Sequence, residues 1–146
     1  MQKIWIVFLT LLAFASSSHA QEVTIYPSDI KYIYDGDTFY IHCRDDLRCE
    51  NGKLGVRLAE IDTPELKGKC RAEKELSRQA KKVAVEFLRT AESILLTIDD
   101  KRPYGYYGRL IASVSVAGQD LGELLISKQV ARPYAGGRKL WCDTPM

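Results

Sequence analysis

A short acidic turn, Tyr-Asp-Gly-Asp-Thr-Phe at residues 34–39, constrains the fold more than any other stretch of the chain. Apolar residues occupy alternate positions on both sides of it. An Asp-Gly turn between two runs of period two is the sequence signature of a β-hairpin. The Asp-Gly pair accounts for the turn, so the third polar residue, Asp37, needs another explanation.

The amino-terminal segment has the features of a secretory signal. Lys3 precedes an almost unbroken apolar run (residues 4–15), and Ser-His-Ala at 18–20 fits a small-x-small cleavage site. The run is shorter than the roughly 20 residues that a membrane span needs. We therefore expect residues 1–20 to be a cleaved signal peptide, and residues 21–146 to be a single domain without stable membrane insertion. An uncleaved anchor is the alternative.

Net charge does not indicate a nucleic-acid-binding protein. The chain has 21 basic and 19 acidic side chains, and removal of the first 20 residues with Lys3 leaves a net charge of +1. Any role in binding nucleic acid must therefore come from the local placement of charges.

Four cysteines, all after residue 20, fit an exported protein with disulfides, located in the medium or the periplasm. Four cysteines allow three pairings. A local bridge between Cys43 and Cys49 is plausible, and it leaves Cys70 to pair with Cys142. A zinc site is the competing interpretation, but no pair has CxxC spacing and His42 is the only histidine of the mature chain.

Apolar periodicity predicts an α+β domain. Five strands are expected at residues 23–33, 38–43, 53–61, 94–98 and 109–116, the first interrupted near Pro27. Residues 71–90 have apolar side chains at spacings of three and four, which predicts a helix, and a second short helix follows a capping-box-like start at Asp120. A five-stranded OB-type β-barrel with peripheral helices is the natural candidate.

Three acidic residues lie at the ends of predicted strands. Asp37 follows the hairpin turn, whereas Asp62 and Glu65 follow the third strand. Carboxylates at strand ends can converge on Ca²⁺ or Mg²⁺, and a third can act on water as a general base. Taken separately, Asp37 and the Asp62–Glu65 group are equally explained as ordinary turn residues, because such acids are common in turns.

Arginine and tyrosine residues complete a set suited to phosphodiester chemistry. Arg57 lies in the third strand and Arg109 opens the fifth, and guanidinium groups bind phosphate oxygens in a bidentate manner. Tyr107 and Tyr134 could stack on bases or sugars. For Tyr104 and Tyr106 a packed aromatic rim is the favoured interpretation.

Three motifs resemble the staphylococcal nuclease (thermonuclease) family. They are Asp-Gly-Asp-Thr at 35–38, Val-Arg-Leu-Ala-Glu-Ile-Asp-Thr-Pro-Glu at 56–65 and Tyr-Gly-Arg-Leu at 107–110, and they occur in that family's order. The resemblance covers roughly residues 23–134. It implies an OB-type barrel and Ca²⁺-dependent hydrolysis of DNA and RNA that leaves 3′-phosphate ends.

The resemblance also implies a role for each matched residue. Asp37 and Asp62 would bind the metal through carboxylates and Thr63 through its carbonyl oxygen. Glu65 would be the general base, Arg57 and Arg109 would clamp the scissile phosphate, and Tyr107 would line the nucleotide pocket.

The chain departs from the family's best-known member in a short loop carrying Cys70, an early carboxyl terminus, and Arg-Pro-Tyr-Ala-Gly-Gly where pocket tyrosines are expected. We expect a monomeric, secreted or periplasmic nuclease. A non-catalytic OB module that binds nucleic acid or protein, and an envelope protein held by its signal, are the alternatives.

Overall fold

The computed structural model describes residues 20–134, 136–137 and 140–142. The strands are β1 (Glu22–Ile25), β2 (Ile30–Ile33), β3 (Thr38–His42), β4 (Lys53–Leu58), β5 (Ile61–Asp62), β6 (Ile94–Ile98), β7 (Leu110–Val116), β8 (Gln119–Asp120) and β9 (Arg132–Pro133), and the helices are α1 (Arg71–Arg89) and α2 (Leu121–Ser127).

The main sheet has the order β1-β6-β7-β4-β3-β2, with β8 paired to β7. β4 and β7 are parallel, and the other neighbours are antiparallel. Its two end strands, β1 and β2, are separated only by a short 3₁₀ turn at Pro27–Asp29. One bent stretch therefore contributes to both ends of a five-strand path, as in an OB-type fold, which confirms the predicted α+β class.

Alternating side chains of the sheet form the core. Phe39, Ile41, Val56, Leu96 and Leu110 are at most 1% exposed. Most intervening positions, such as Tyr40, Arg57, Leu95 and Ser113, are half-buried or exposed, so the sheet buries one face more completely than the other.

Helix α1 covers the core with the apolar face that the spacing predicts. Ala80, Ala84 and Leu88 are buried, and Leu76, Val83 and Phe87 pack against the core at its edge. Ala72, at the start of the helix, is exposed, although the apolar spacing of the sequence includes it. The prediction of an amphipathic helix is therefore correct for all but its first turn.

The predicted third strand is interrupted, and this changes where the acidic residues lie. β4 ends at Leu58, and Glu60 then adopts a φ of 58°, which a continuous strand does not allow. Asp62 belongs instead to β5, which pairs with β9 in a separate two-stranded sheet.

Two disulfides join Cys43 to Cys49 and Cys70 to Cys142. They are consistent with an oxidising, extracellular environment. The predicted signal peptide lies, except for Ala20, outside the described residues. Among the residues that are described, no helix has the length and apolarity to cross a membrane.

Candidate nuclease site

The hairpin turn between β2 and β3 places Asp37 inside the protein. Asp37 is 5% exposed, and its Oδ2 accepts hydrogen bonds from the backbone N–H and the hydroxyl of Thr63 at 3.0 and 2.8 Å. Its Oδ1 accepts one from the Thr38 hydroxyl at 2.9 Å. Asp37 is thus more than a turn residue, because it joins the hairpin to the segment after β5.

Asp35 and Gly36 also have roles beyond the turn. Burial, reinforced by the neighbouring Asp37 carboxylate, raises the pKa of Asp35 from 3.8 to about 7. Gly36 is not among the glycines with positive φ, but a Cβ there would lie 2.7 Å from the Cβ of Ala80 on α1. The sequence interpretation that the turn conformation requires this glycine was therefore incomplete, since close approach to the helix is the stronger reason.

Arg57 in β4 and Arg109 directly before β7 lie close together because these two strands are paired. Arg57 Nη1 forms an ion pair with Asp37 Oδ2, and its Nη2 donates to the Ile61 carbonyl at 3.3 Å. Arg109 donates from Nε to the Tyr106 carbonyl at 3.2 Å and from Nη1 to the Thr38 hydroxyl at 3.4 Å. These contacts fix both guanidinium groups without covering them completely.

Asp62 ends β5, and Thr63 and Glu65 lie in the segment directly after it. Asp62 Oδ2 accepts two hydrogen bonds from Arg132, at 3.2 and 3.0 Å. Thr63 is buried and Glu65 is exposed.

One cavity of about 280 Å³ brings the predicted residues together. Those that line it are Asp37, Arg57, Asp62, Thr63, Glu65, Tyr107 and Arg109. Residues separated by up to 72 positions in the sequence therefore border one space, with carboxylates and guanidinium groups facing it together.

The two predicted tyrosines lie in different places. Tyr107 is 93% exposed, and the Arg109 guanidinium carbon is 5.7 Å from the centre of its ring. Tyr134 lines a separate cavity of about 500 Å³, which shares Arg57 and Arg109 with the first. Tyr106 also borders this larger cavity and is 83% exposed, so the interpretation of Tyr106 as part of a packed rim was wrong.

The donor atoms at the smaller cavity suit a hard cation. Two carboxylates, of Asp37 and Asp62, and the Thr63 carbonyl offer only oxygen ligands, which Ca²⁺ and Mg²⁺ prefer. The residues present thus fit the cation that the sequence predicts.

A second group of potential ligand atoms is unsuited to a metal. Cys70, Glu73 and Cys142 have ligand atoms within 4.8 Å of one another, but both sulfurs belong to one disulfide and cannot act as thiolates. The predicted disulfide, and not the zinc alternative, therefore accounts for these cysteines.

Sequence reasoning missed Arg132, which the structure places on Asp62. The two residues are paired across β5 and β9, strands of two residues each that have no periodic signal. An unexplained arginine between two apolar tail positions was the only hint in the sequence.

Comparison with known proteins identifies the family. A model of the family described as staphylococcal nuclease homologue matches residues 55–140, and no curated protein matches the chain. The match contains Arg57, Asp62, Glu65 and Arg109, and it covers more than half of the sequence. The chain therefore belongs to the family of staphylococcal nuclease homologues.

Proposed function

We propose that the protein is a Ca²⁺-dependent nuclease, secreted or periplasmic and monomeric, that hydrolyses phosphodiester bonds of DNA and RNA and leaves 3′-phosphate ends. The observation that carries the proposal is the 280 Å³ cavity, which four carboxylate residues line together with two arginines. Family membership supports nuclease-type chemistry in general, and the details are our inference.

Arg57 and Arg109 would bind the scissile phosphate. Their guanidinium groups keep their charge at neutral pH and match two phosphate oxygens each. In the attack, negative charge builds on those oxygens, and fixed donors stabilise it without having to reorganise. The bonds from Arg109 to Thr38 and the Tyr106 carbonyl support such fixed placement.

Glu65 would act as the general base. It is exposed at the cavity edge, where water can reach it, and it would take the proton of a water molecule that attacks phosphorus. A Ca²⁺ ion held by Asp37, Asp62 and the Thr63 carbonyl would supply Lewis-acid stabilisation of the phosphate charge. The new bond joins the water oxygen to phosphorus, and the bond from phosphorus to the 5′ oxygen breaks. That oxygen then takes up a proton from solvent, which leaves a 3′-phosphate and a 5′-hydroxyl.

The larger cavity would take the neighbouring nucleoside. It shares both arginines with the smaller one, and Tyr106 and Tyr134 offer exposed aromatic faces beside them. Stacking on such faces tolerates any base, which fits a nuclease that is not sequence-specific.

Digestion of plasmid DNA and of RNA with Ca²⁺, Mg²⁺ or a chelator tests the activity, the metal and the substrate range together. We expect cleavage of both with Ca²⁺ and none with chelator. The ends should accept a 5′ label directly and a 3′ label only after phosphatase treatment. Binding of nucleic acid without cleavage under every metal condition would favour the non-catalytic OB module.

Arg57→Ala and Glu65→Ala test the assigned roles. Each should lower cleavage by about 100-fold or more, because each removes a group that acts on the reacting phosphate or water. Arg78→Ala and Glu75→Ala are matched controls, since these residues form an exposed ion pair on α1. Wild-type activity in either site variant would refute the catalytic assignment.

Export is tested on the mature protein. We propose that residues 1–20 are removed, so the exported protein should begin at Gln21, as measured by intact mass. A mass that retains the segment would favour the envelope-anchored alternative.

A further inference from the structure

Arg132 donates two hydrogen bonds to the carboxylate of Asp62. The two residues face each other across β5 and β9, and Arg132 donates from Nε and Nη2 to the same oxygen, Asp62 Oδ2. About a quarter of each side chain is exposed. Among the described residues, no hydrogen bond is made to Asp62 Oδ1, so Arg132 holds one carboxylate oxygen of a residue that lines the smaller cavity.

A short tail segment in turn holds Arg132. The third nitrogen, Nη1, donates to the Leu140 carbonyl at 3.3 Å, and the guanidinium carbon lies 3.9 Å from the centre of the Trp141 ring. The edge of the guanidinium therefore bonds to Asp62 and Leu140 while its face stacks on an indole. We call residues 140–142 the tail strap.

The tail strap is covalently attached beside the site. Cys142 is bonded to Cys70, which is five residues beyond Glu65 and forms the amino-terminal cap of α1. The chain thus leaves the site at Glu65, and the tail returns to the same loop through the disulfide. The disulfide thus fixes the Cys142 end of the tail strap, next to the residues that contact Arg132.

We propose that Arg132 is a positioning residue that orients the Asp62 carboxylate for the cation, and that the tail strap keeps Arg132 in place. The inference rests on the proposed function, in which Asp62 is a metal ligand. An aspartate carboxylate rotates easily about its last torsion, and a two-point contact to one oxygen removes that freedom. Hydrogen-bonded partners of metal ligands typically contribute 10- to 100-fold to metal affinity.

The charge of Arg132 acts in the opposite direction, which makes the sign of the effect informative. A guanidinium near a divalent cation repels it. If repulsion dominated, removal of Arg132 would tighten metal binding. If orientation dominates, as we infer from the two bonds to one oxygen, removal weakens it.

Calorimetric titration of the full mature protein with Ca²⁺ separates these outcomes. Arg132→Gln should raise the Kd for Ca²⁺ by about 10-fold or more. Arg132→Lys should restore little of this, because an ammonium group cannot make the two-point contact. Arg44→Gln is the matched control, since Arg44 makes a similar pair with Asp46 on an exposed loop, and its Kd should equal that of the wild type.

The tail strap is tested separately by Trp141→Ala, which leaves the disulfide intact, and by a Cys70→Ser/Cys142→Ser double variant. Both should weaken Ca²⁺ binding in the same direction as Arg132→Gln. Circular dichroism at the titration temperature establishes that each variant is folded. A Kd that does not change in Trp141→Ala overturns the role assigned to the strap.

Two failures can be told apart. Wild-type protein that binds no divalent cation overturns the proposed function and this inference with it. Ca²⁺ binding by folded Arg132→Gln that equals or exceeds the wild-type affinity overturns the inference alone. If Arg132→Gln lowers the melting temperature but leaves the Kd unchanged, the inference alone is also overturned, because Arg132 then contributes only to the stability of the fold.

Discussion

Replacing Gly36 with alanine tests whether the acidic turn is placed by close packing against α1. An added Cβ would lie 2.7 Å from the Cβ of Ala80, 3.0 Å from Cγ2 of Thr63 and 3.3 Å from the carbonyl carbon of Ala80. Carbon atoms in favourable contact are about 3.5–4.0 Å apart, so the turn or the helix must move by about 1 Å. The φ of Gly36 lies outside the left-handed region, so the cost is steric and not torsional.

We expect Gly36→Ala to lower the free energy of unfolding by about 1–3 kcal/mol, the usual range for overpacking a well-packed site. Urea unfolding should give a lower midpoint with an unchanged m-value. Because Asp37 follows directly in the chain, the same shift should weaken cleavage in the folded variant. A urea midpoint of Gly36→Ala equal to that of the wild type would refute the close approach of the hairpin to α1.

A double-mutant cycle identifies the atom responsible. Ala80→Gly removes the nearest methyl group and by itself costs about 1 kcal/mol through helix propensity. In the double variant with Gly36→Ala, the loss in free energy of unfolding should be about 1–2 kcal/mol smaller than the sum of the two single losses. Gly118→Ala is the control, since Gly118 has a φ of 81° and no atom within 4 Å of an added Cβ, so it should be additive with Ala80→Gly. Additivity in both pairs would refute the clash with Ala80.

Three further predictions concern stability. Loss of the Cys70–Cys142 bond, which spans 72 positions, should lower the free energy of unfolding by about 4 kcal/mol, and loss of Cys43–Cys49, which spans 6, by about 2 kcal/mol. The difference arises because the longer loop gains more entropy when unfolded. Urea unfolding of the two Cys→Ser double variants would refute this if the Cys43–Cys49 bond proved the more stabilising. The pKa of Asp35 is higher in the folded protein than its usual 3.8, so the metal-free protein should lose stability as the pH rises from about 4 to 7, and Asp35→Asn should abolish that loss. Parallel stability–pH curves for the two proteins would contradict the burial argument. Ca²⁺ at 100 times its Kd should raise the free energy of unfolding by about 2.7 kcal/mol, and chelator should reverse the rise; unfolding curves that Ca²⁺ leaves unchanged would contradict a site in the native state.

Local patterns made much of the fold predictable. The alternation in β4 and β7 and the spacing in α1 each reflect a single element with one buried face, and such a face is visible in a window of a few residues. The acidic and basic residues of the proposed site could also be selected, because their types and their positions at strand ends are local features.

Long-range geometry could not be obtained in this way. The break after Leu58 and the pairing of β5 with β9 depend on contacts between segments about 70 residues apart, and two-residue strands have no periodicity. Gly36 illustrates the same limit, since the sequence explains it by the turn, whereas the position of Ala80 supplies the steric reason.

Residue identity and local spacing were enough to predict the α+β class, the family resemblance and the chemical types available at the site. The folded coordinates were needed to find that Asp37 is bonded to Thr63, that Arg57 pairs with Asp37, and that Arg132 pairs with Asp62. A side chain's partner is set by the directions in which separate elements approach one another, and these directions follow from the packing of the whole core.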